Sequence, residues 1–424
     1  MNKRIAKFLS LTLALVLCLA MTAPAMAAYT VDKTTSTLTT TFEKYFVMDE
    51  KAVVPNVQFT FKVAPASGAD LTGNNATPST DFGVFAGVMA GLKLTSTTNT
   101  TGTSVEATDK TTGELTITVG FGTTYSNTTT YTTVQDTDSL TLDTGKKYAK
   151  DTVTVDFTNV PFPEPGVYRY KITENSGTFP GVTYTGTALY LDVYVMDTTA
   201  DTDGATPTLK VSGYTLTTAA NALDRDDTDD GKTGTKNTTY TNKTEGVTNP
   251  YDTYDLKVSK TVRGNQGNRE QYFPFTVTIN CADDTTDGTY ALTYAPNNTY
   301  SGNPTSIAIA NGTYTGTIYL KHGESFTIEN LPKGTTYTIS EDPDDYNVTT
   351  VVTGSAVQPT DWTFGTNYAV SNPDDGIVAD TTIAYTNTRG GVVPTGVLLT
   401  IAPFVVLMVV GLIGAVLVLK KKKN

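Results

Sequence analysis

Apolar and polar residues alternate along most of the chain between its two ends. The alternation is regular in VQFTFKV at 57–63, ELTITVGF at 114–121 and LYLDVYV at 189–195. A period of two is typical of β-strands, whose successive side chains point to opposite faces of a sheet. Gly, Asn and Asp residues separate these runs and favour turns. Because no long run with a helical period lies between the ends, the pattern predicts an all-β fold built of short strands.

The two ends of the chain follow a different pattern. Residues 1–27 have a basic start, an apolar run and small residues before Ala28, which together indicate a secretory signal peptide. Val397–Leu419 is almost entirely apolar and is long enough to cross a bilayer as a helix. The four lysines at 420–423 follow it and are expected to remain on the cytoplasmic side. The sequence therefore predicts an exported chain with a C-terminal membrane segment.

The segment between these ends is acidic. The ends hold seven of the 30 basic residues and none of the 42 acidic residues, which leaves 23 basic residues and a net charge of −19. Nucleic-acid binding requires a basic face, so this charge argues against that class of function. Cys281 is the single cysteine after the predicted signal peptide, which excludes an intrachain disulfide. The sequence also predicts no cofactor and no metal, since the acidic run at 224–232 lacks the ligand pattern of a calcium loop.

A loose repeat divides the acidic segment into two halves. In the first half, a strand around Lys44 is followed by FTFKV at 59–63, PGVYRYKITE at 165–174 and TYTN at 239–242. In the second half, Lys260 is followed in the same order by FPFTV, LPKGTTYTISE and AYTN. Four elements that recur in one order indicate two related domains.

The repeat sets the predicted domain boundaries. We expect one domain over 28–247, a second over 254–389 and a terminal segment over 390–424, with the Gly- and Pro-containing stretch 243–253 acting as a short linker. The first domain is longer because of a Thr-, Gly- and Asn-rich stretch at 66–150. This stretch contains ELTITVGF, so it either adds strands to the first domain or forms a small domain of its own.

Each half directs three polar residues to the apolar face of its strands. The period of two places one lysine, one glutamate and one asparagine on that face in each half. They are Lys44, Glu174 and Asn242 in the first half, and Lys260, Glu341 and Asn387 in the second. Any one of them could lie at a strand end with its polar group in solvent. Two parallel sets in the same order favour a shared chemical role instead.

Burial would allow such a trio to react. Desolvation favours a neutral lysine amine, which is a nucleophile, and a protonated glutamate, which can donate a hydrogen bond and transfer a proton. Attack of the amine on the asparagine side-chain carbonyl, with loss of ammonia, would leave an amide between the two side chains. The product is neutral, so the cost of burying the lysine charge disappears.

The C-terminal segment resembles a cell-wall sorting signal of Gram-positive bacteria in its pilin form. Val393, Pro394, Thr395 and Gly396 precede the apolar segment and the basic tail, as in that family. The resemblance implies that a sortase cleaves between Thr395 and Gly396 and transfers the Thr395 carbonyl to an amine. It also implies that the chain is in the membrane before sorting and is afterwards anchored to the cell wall. A plain single-pass membrane anchor is the alternative.

The segments around the two trios are similar to the isopeptide-containing major pilins of Gram-positive bacteria. KYFVMDEKAVVPNVQFTFKV, PGVYRYKITE, LKVSKTVRG, ESFTIENLPKGTTYTISED and TIAYTN occur in the order found in the streptococcal two-domain shaft pilin. The resemblance implies tandem Cna B-type, immunoglobulin-like β-sandwiches. It further implies bonds between Lys44 and Asn242 and between Lys260 and Asn387, with Glu174 and Glu341 as the catalytic acids.

Polymerisation of such a pilin needs a lysine that receives Thr395 of the next subunit. In the resembled pilin this lysine lies seven positions before the bonded asparagine. Counting from Asn242 leads to Thr235, with Lys236 one position later; Lys236 is therefore the first candidate and Lys232 the second. Both could equally be solvated lysines of a surface loop.

The sequence thus predicts a structural pilus shaft subunit and not an enzyme. Its expected partners are other copies of itself, a sortase, minor pilins and peptidoglycan, and its expected location is the cell surface. The alternative is a monomeric wall-anchored adhesin that binds host protein or glycan through the stretch at 66–150.

Overall fold

A computed structural model of the 424-residue chain shows two compact units, Met1–Thr253 and Tyr254–Asn424. The described residues are 29–72, 84–98, 105–106, 113–199, 207–220, 242–281, 286–297, 299–355, 358–359, 366–372, 376–391 and 395–421. The predicted signal peptide lies outside them and stays a prediction. The described parts are mostly β-structure, which confirms the predicted class.

The first unit is built from strands that alternate between buried and more exposed residues. They are β1 (Thr30–Val31), β2 (Thr39–Asp49), β3 (Val57–Pro65), β4 (Val84–Ala86), β5 (Lys93–Ser96), β6 (Val105–Glu106), β7 (Leu115–Phe121), β8 (Lys146–Asp156), β9 (Gly166–Glu174), β10 (Leu189–Asp197), β11 (Thr208–Thr217) and β12 (Gly246–Pro250). A short helix covers Ala69–Thr72, and a 3-10 turn covers Thr123–Tyr125.

These strands form two sheets that face each other. One sheet has the order β1-β11-β10-β9-β3-β7, with β4 beside β9, and the other has the order β12-β2-β8-β5-β6. Phe42 and Phe46 on β2 meet Phe61 and Phe59 on β3, with ring centroids 5.3 Å and 5.4 Å apart. The core therefore lies between the sheets, where the apolar faces of β2 and β3 meet.

The described parts of the stretch at 66–150 belong to these two sheets. Strand β7 pairs with β3, and β8 pairs with β2 along eleven residues of each strand. The carbonyl oxygen of Arg169 accepts hydrogen bonds from Ala66 N at 3.0 Å and from Gly87 N at 2.9 Å. The stretch thus adds strands to the first unit, as one of the two sequence-based alternatives expected.

The second unit has the same plan. Its strands are β13 (Thr253–Arg263), β14 (Phe273–Asn280), β15 (Gly288–Ala295), β16 (Ser306–Ile309), β17 (Thr313–Leu320), β18 (Ser325–Pro332), β19 (Thr336–Glu341), β20 (Asn347–Thr353), β21 (Gln358–Pro359), β22 (Tyr368–Asn372) and β23 (Thr381–Thr388). The sheet orders are β16-β15-β18-β13-β23-β20 and β17-β14-β19-β22-β21. Phe275 on β14 packs against Tyr385 on β23 at a centroid distance of 5.1 Å, so here too the core lies between two sheets.

The predicted linker at 243–253 is wrong. Gly246–Pro250 is strand β12, which pairs in parallel with β2 of the first unit. The contact boundary between the units lies after Thr253, six residues beyond the predicted domain end at 247. Gly and Pro suggested a linker, but here Pro250 ends a strand at the edge of a sheet, a place where its missing N–H is tolerated.

A helix over Thr395–Lys421 follows strand β23 in the chain. Within the part of the chain that the structure describes, no helix has both the length and the apolar character needed to cross a membrane.

Candidate functional site

The second unit brings its predicted trio together in the core. Lys260 on β13 and Asn387 on β23 lie on neighbouring parallel strands of one sheet, and Glu341 ends β19 in the facing sheet. The Lys260 ammonium contacts Glu341 Oε1, and Asn387 Nδ2 donates a hydrogen bond to the same oxygen at 2.9 Å. All three residues are at most 1 % exposed. The structure thus places the three residues that the parity argument selected together in the core.

The surroundings of Lys260 oppose its charge. The ring of Phe273 lies with its centroid 3.9 Å from Lys260 Nζ, and Phe275 lies farther away at 5.8 Å. Burial lowers the pKa of Lys260 to about 8, even though Glu341 beside it acts in the opposite direction. Burial also raises the pKa of Glu341. Both shifts favour the neutral forms that amide formation requires.

The first unit contains a second cluster with the same construction. Lys44 Nζ on β2 lies 2.8 Å from Glu174 Oε1 at the end of β9, which belongs to the facing sheet. Asn249 Nδ2 on β12 donates to Glu174 Oε2 at 2.8 Å. The Phe59 ring centroid lies 4.1 Å from Lys44 Nζ, and burial lowers the pKa of Lys44 to about 8.

The asparagine of the first cluster is therefore Asn249, and the prediction of Asn242 is wrong. Asn242 is an exposed turn residue whose backbone oxygen accepts a hydrogen bond from Thr218 N at 2.9 Å. Both positions end a Thr-Asn pair, and in both an apolar or aromatic residue lies two positions earlier on the same face. Parity alone could not choose between them, because the pairing partner decides which one reaches the core.

The strand register is the signal that distinguishes the two asparagines. Asn249 lies opposite Phe46, two residues after Lys44, and Asn387 lies opposite Val262, two residues after Lys260. The same offset in both units brings the asparagine side chain to the lysine from the adjacent parallel strand. Gly246 permits this pairing in the first unit, since a Cβ atom there would lie 1.8 Å from the backbone oxygen of Glu43.

Each cluster leaves the reactive end of its asparagine without a donor. Asn249 Oδ1 and Asn387 Oδ1 are buried and have no hydrogen-bond partner among the described residues, and the same is true of Glu341 Oε2. A protonated glutamate could donate a hydrogen bond to this oxygen if the side-chain amide of the asparagine rotates by half a turn. The rotation exchanges the positions of Oδ1 and Nδ2. The geometry therefore supplies a nucleophile, an acid and an activatable carbonyl.

The remaining predicted site residues lie toward the end of the first unit and in the C-terminal segment. Lys232, Lys236, Val393 and Pro394 lie outside the described residues. Thr395 and Gly396 begin the C-terminal helix.

Comparison with protein families gives two matches. Residues 121–245 match the Spy0128-like isopeptide containing domain, and residues 254–389 match a domain of unknown function, DUF7601. The first match contains Glu174 but neither Lys44 nor Asn249, whereas the second contains Lys260, Glu341 and Asn387.

Comparison with individual proteins gives matches along most of the chain. A curated pilin of Streptococcus pyogenes serotype M1 is 27% identical over 380 residues, which cover 89% of this chain and 88% of the pilin. The crystal structure of the major pilin from Streptococcus pyogenes gives a TM-score of 0.47 at 21% identity, covering 84% of this chain and 99% of that chain. A second major pilin of that species, T3.2, gives 0.46 at 21% identity, covering 83% and 98%.

The curated pilin match and the isopeptide domain match agree with the resemblance that the sequence motifs indicated. The pilins concerned are structural subunits and not enzymes, and the isopeptide domain match falls on the half of the chain that contains the first cluster's glutamate. By sequence, this chain is similar to a curated streptococcal pilin along most of its length.

Proposed function

We propose that this chain is a pilus shaft subunit whose two units are each cross-linked by a lysine–asparagine amide, Lys44 to Asn249 and Lys260 to Asn387. The observation that supports the proposal most strongly is the repeated geometry. In both units the lysine and asparagine lie on adjacent parallel strands, the glutamate comes from the facing sheet, and a phenylalanine ring covers the amine. The two units would then be Cna B-type sandwiches.

The reaction balances without a cofactor. The neutral amine of the lysine attacks Cγ of the asparagine while the glutamate donates its proton to the side-chain oxygen. As the tetrahedral intermediate collapses, its hydroxyl proton passes to the side-chain nitrogen, the C–N bond to that nitrogen breaks, and the nitrogen leaves as ammonia. The proton that the lysine loses returns to the glutamate, so the glutamate is unchanged at the end of the single turnover.

The strand positions give the cross-links a mechanical purpose. In each unit the cross-link would join the strand that carries the lysine, which comes early in the unit, to the last described strand of the unit. These pairs are β2 with β12 and β13 with β23. Tension applied along the chain would otherwise separate such neighbouring strands by breaking backbone hydrogen bonds. A covalent bond between them keeps each unit folded under load and against proteases.

The subunits would be joined by a sortase that transfers the Thr395 carbonyl of one copy to a lysine of the next. Counting back from Asn249 instead of Asn242 gives a different candidate for that lysine. The position seven residues before Asn249 is Asn242, and the next residue is Lys243. Lys243 is exposed and lines an open groove of about 320 Å³ together with Tyr214 and Leu216. We therefore add Lys243 to Lys236 and Lys232 as an acceptor, with minor pilins and peptidoglycan as the further partners at the cell surface.

Intact mass spectrometry of the recombinant chain tests the internal bonds. We expect a mass below the sequence mass by one ammonia for each unit, and peptide mapping should recover the linked pairs. Lys44→Ala and Lys260→Ala should each restore one ammonia. A wild-type chain with its full sequence mass would contradict the proposal.

Surface extracts test the polymerisation. Wild-type extracts should run as a ladder of high-mass species that survives boiling in detergent, and the alanine variant of the acceptor among Lys232, Lys236 and Lys243 should reduce it to monomer. A single band at monomer size in the wild type would favour the adhesin instead. The internal mass deficit would remain in that case, so the two parts of the proposal can fail separately.

A further inference from the structure

The second unit contains an asparagine–glycine turn, a sequence that is prone to spontaneous modification. Asn311 and Gly312 lie between β16 and β17, where Ala310 and Thr313 pair with each other. Both turn residues have positive φ, 52° for Asn311 and 72° for Gly312. This backbone conformation suits a tight hairpin, and Asn-Gly is the pair that adopts it most readily. The fold therefore has a reason to use this pair.

The same pair has a chemical weakness. The backbone nitrogen of the glycine can attack Cγ of the asparagine side chain, which closes a five-membered succinimide and releases ammonia. Water then opens the ring and leaves aspartate or isoaspartate, so the chain loses one ammonia and gains one water. Attack requires that the glycine nitrogen give up its proton and approach Cγ. Glycine adds no side chain that would hinder this approach, and Asn311 is exposed to water.

The carboxylate of Asp287 occupies both backbone N–H groups of the turn. Gly312 N donates to Asp287 Oδ1 and Asn311 N donates to Asp287 Oδ2, each at 2.8 Å. The carbonyl of Gly312 also accepts a hydrogen bond from Cys281 N at 2.8 Å. The attacking nitrogen is thus held by an acceptor, and the peptide groups on either side of its own peptide group are also hydrogen-bonded.

We propose that Asn311 is a latent deamidation site and that Asp287 suppresses its reaction by holding the proton of the Gly312 nitrogen and the geometry of the turn. Hydrogen bonds to a charged acceptor are stronger than those between neutral groups, which makes the carboxylate an effective clamp. Asn249 is protected from the same attack in another way, because the nitrogen of Pro250 has no hydrogen. At both Asn249 and Asn311, attack of the next backbone nitrogen on the asparagine side chain would then be blocked.

Long incubation at neutral pH followed by peptide mapping tests the proposal. In Asp287→Ala we expect deamidation at Asn311 to be faster than in the wild type by about tenfold or more, the factor that corresponds to the loss of one charge-assisted hydrogen bond to the reacting nitrogen. A synthetic peptide of residues 307–316 gives the rate without any clamp. The wild-type chain should react far more slowly than this peptide.

Asp255→Ala is the matched control. Asp255 Oδ1 accepts a hydrogen bond from Asn330 N at 2.9 Å, also in the second unit, but Asn330 lies on β18 and the residue after it is Leu331. This variant should deamidate at Asn311 at the wild-type rate. Asp287→Asn keeps the shape of the side chain and one acceptor oxygen, so it should give an intermediate rate and decides the question if Asp287→Ala does not fold. A wild-type rate in a folded Asp287 variant, or a wild-type chain that reacts as fast as the peptide, would overturn the proposal.

Discussion

The two clusters have the same parts, but their asparagines come from different kinds of strand. Asn387 lies on β23, an eight-residue strand with a neighbour on each side, β13 and β20. Asn249 lies on β12, a five-residue strand at the end of its sheet, paired along its length with β2. A short edge strand is held by fewer hydrogen bonds than an interior strand. The proposed cross-link should therefore matter more for keeping β12 in place than for keeping β23 in place.

Such a cluster has two requirements, the identity of its residues and the register of its strands. The identity of the residues is the same in both units, yet the local sequences around Asn249 and Asn387 differ. What is common is the register: each asparagine lies opposite the residue two positions after the lysine on a parallel neighbour. A cluster of this kind is thus defined by strand pairing more than by a short motif.

Removal of the proposed catalytic acids, Glu341 and Glu174, should have the largest effect. Glu341→Ala leaves Lys260 buried without its partner, which costs about 3–5 kcal/mol, and it also prevents a cross-link that by chain entropy stabilises a loop of this length by about 5 kcal/mol. Glu174→Ala should do the same in the first unit. Denaturant unfolding together with intact mass measures both effects. A Glu341→Ala chain that keeps both ammonia deficits would show that the glutamate is not needed.

The choice between Asn249 and Asn242 has the next largest effect. Asn249→Ala should abolish the bond in the first unit, restore one ammonia to the mass and lower the free energy of unfolding of that unit by about 5 kcal/mol. Asn242→Ala removes an exposed side chain of the same type, so it should leave the mass deficit and the stability as they are. If the two variants behave in the opposite way, the sequence-based choice of Asn242 was right.

Much of the fold and most of both clusters could be predicted from sequence. The period of two along VQFTFKV or LYLDVYV indicates which face of a strand is buried. It therefore identifies five of the six cluster residues without knowledge of the sheet order: Lys44, Glu174, Lys260, Glu341 and Asn387. The strand that holds Asn249 was missed for a physical reason. Its pairing with β2 is a contact between residues about two hundred positions apart, and neither periodicity nor turn composition carries information about such a contact.

The free energy of unfolding of the second unit should depend on pH in an unusual way when the cross-link is prevented. In Asn387→Ala the amine of Lys260 stays free, with a pKa of about 8 in the folded state and its ordinary value of 10.5 in the unfolded state. Between these values the unfolded chain binds the proton and the folded chain does not, so the free energy of unfolding should rise with pH across this window, by up to about 3 kcal/mol. Urea unfolding at several pH values measures the slope.

The double variant Asn387→Ala/Lys260→Met is the control for that slope. It lacks the titrating amine but keeps a similar apolar volume next to Phe273. The rise between pH 8 and 10.5 should disappear, while any contribution from tyrosines remains. An equal slope in both variants would assign the effect to other groups. The proposed cross-link makes Lys260 part of an amide in the wild type, so this rise should also be missing there.

The smallest expected effect concerns the close approach of β12 to β2. Gly246→Ala would place a Cβ atom 1.8 Å from the Glu43 backbone oxygen, so the edge strand must shift away from Lys44. We expect a loss of about 1–3 kcal/mol in the first unit and an incomplete ammonia deficit there, because the asparagine would be presented less accurately. Gly213→Ala on β11 is the matched control, since among the described residues no atom beyond its own chain neighbours lies within 4 Å of its added Cβ. Full cross-linking in Gly246→Ala would show that the reaction tolerates a displaced edge strand, and the register would then be less strict than the agreement between the two units implies.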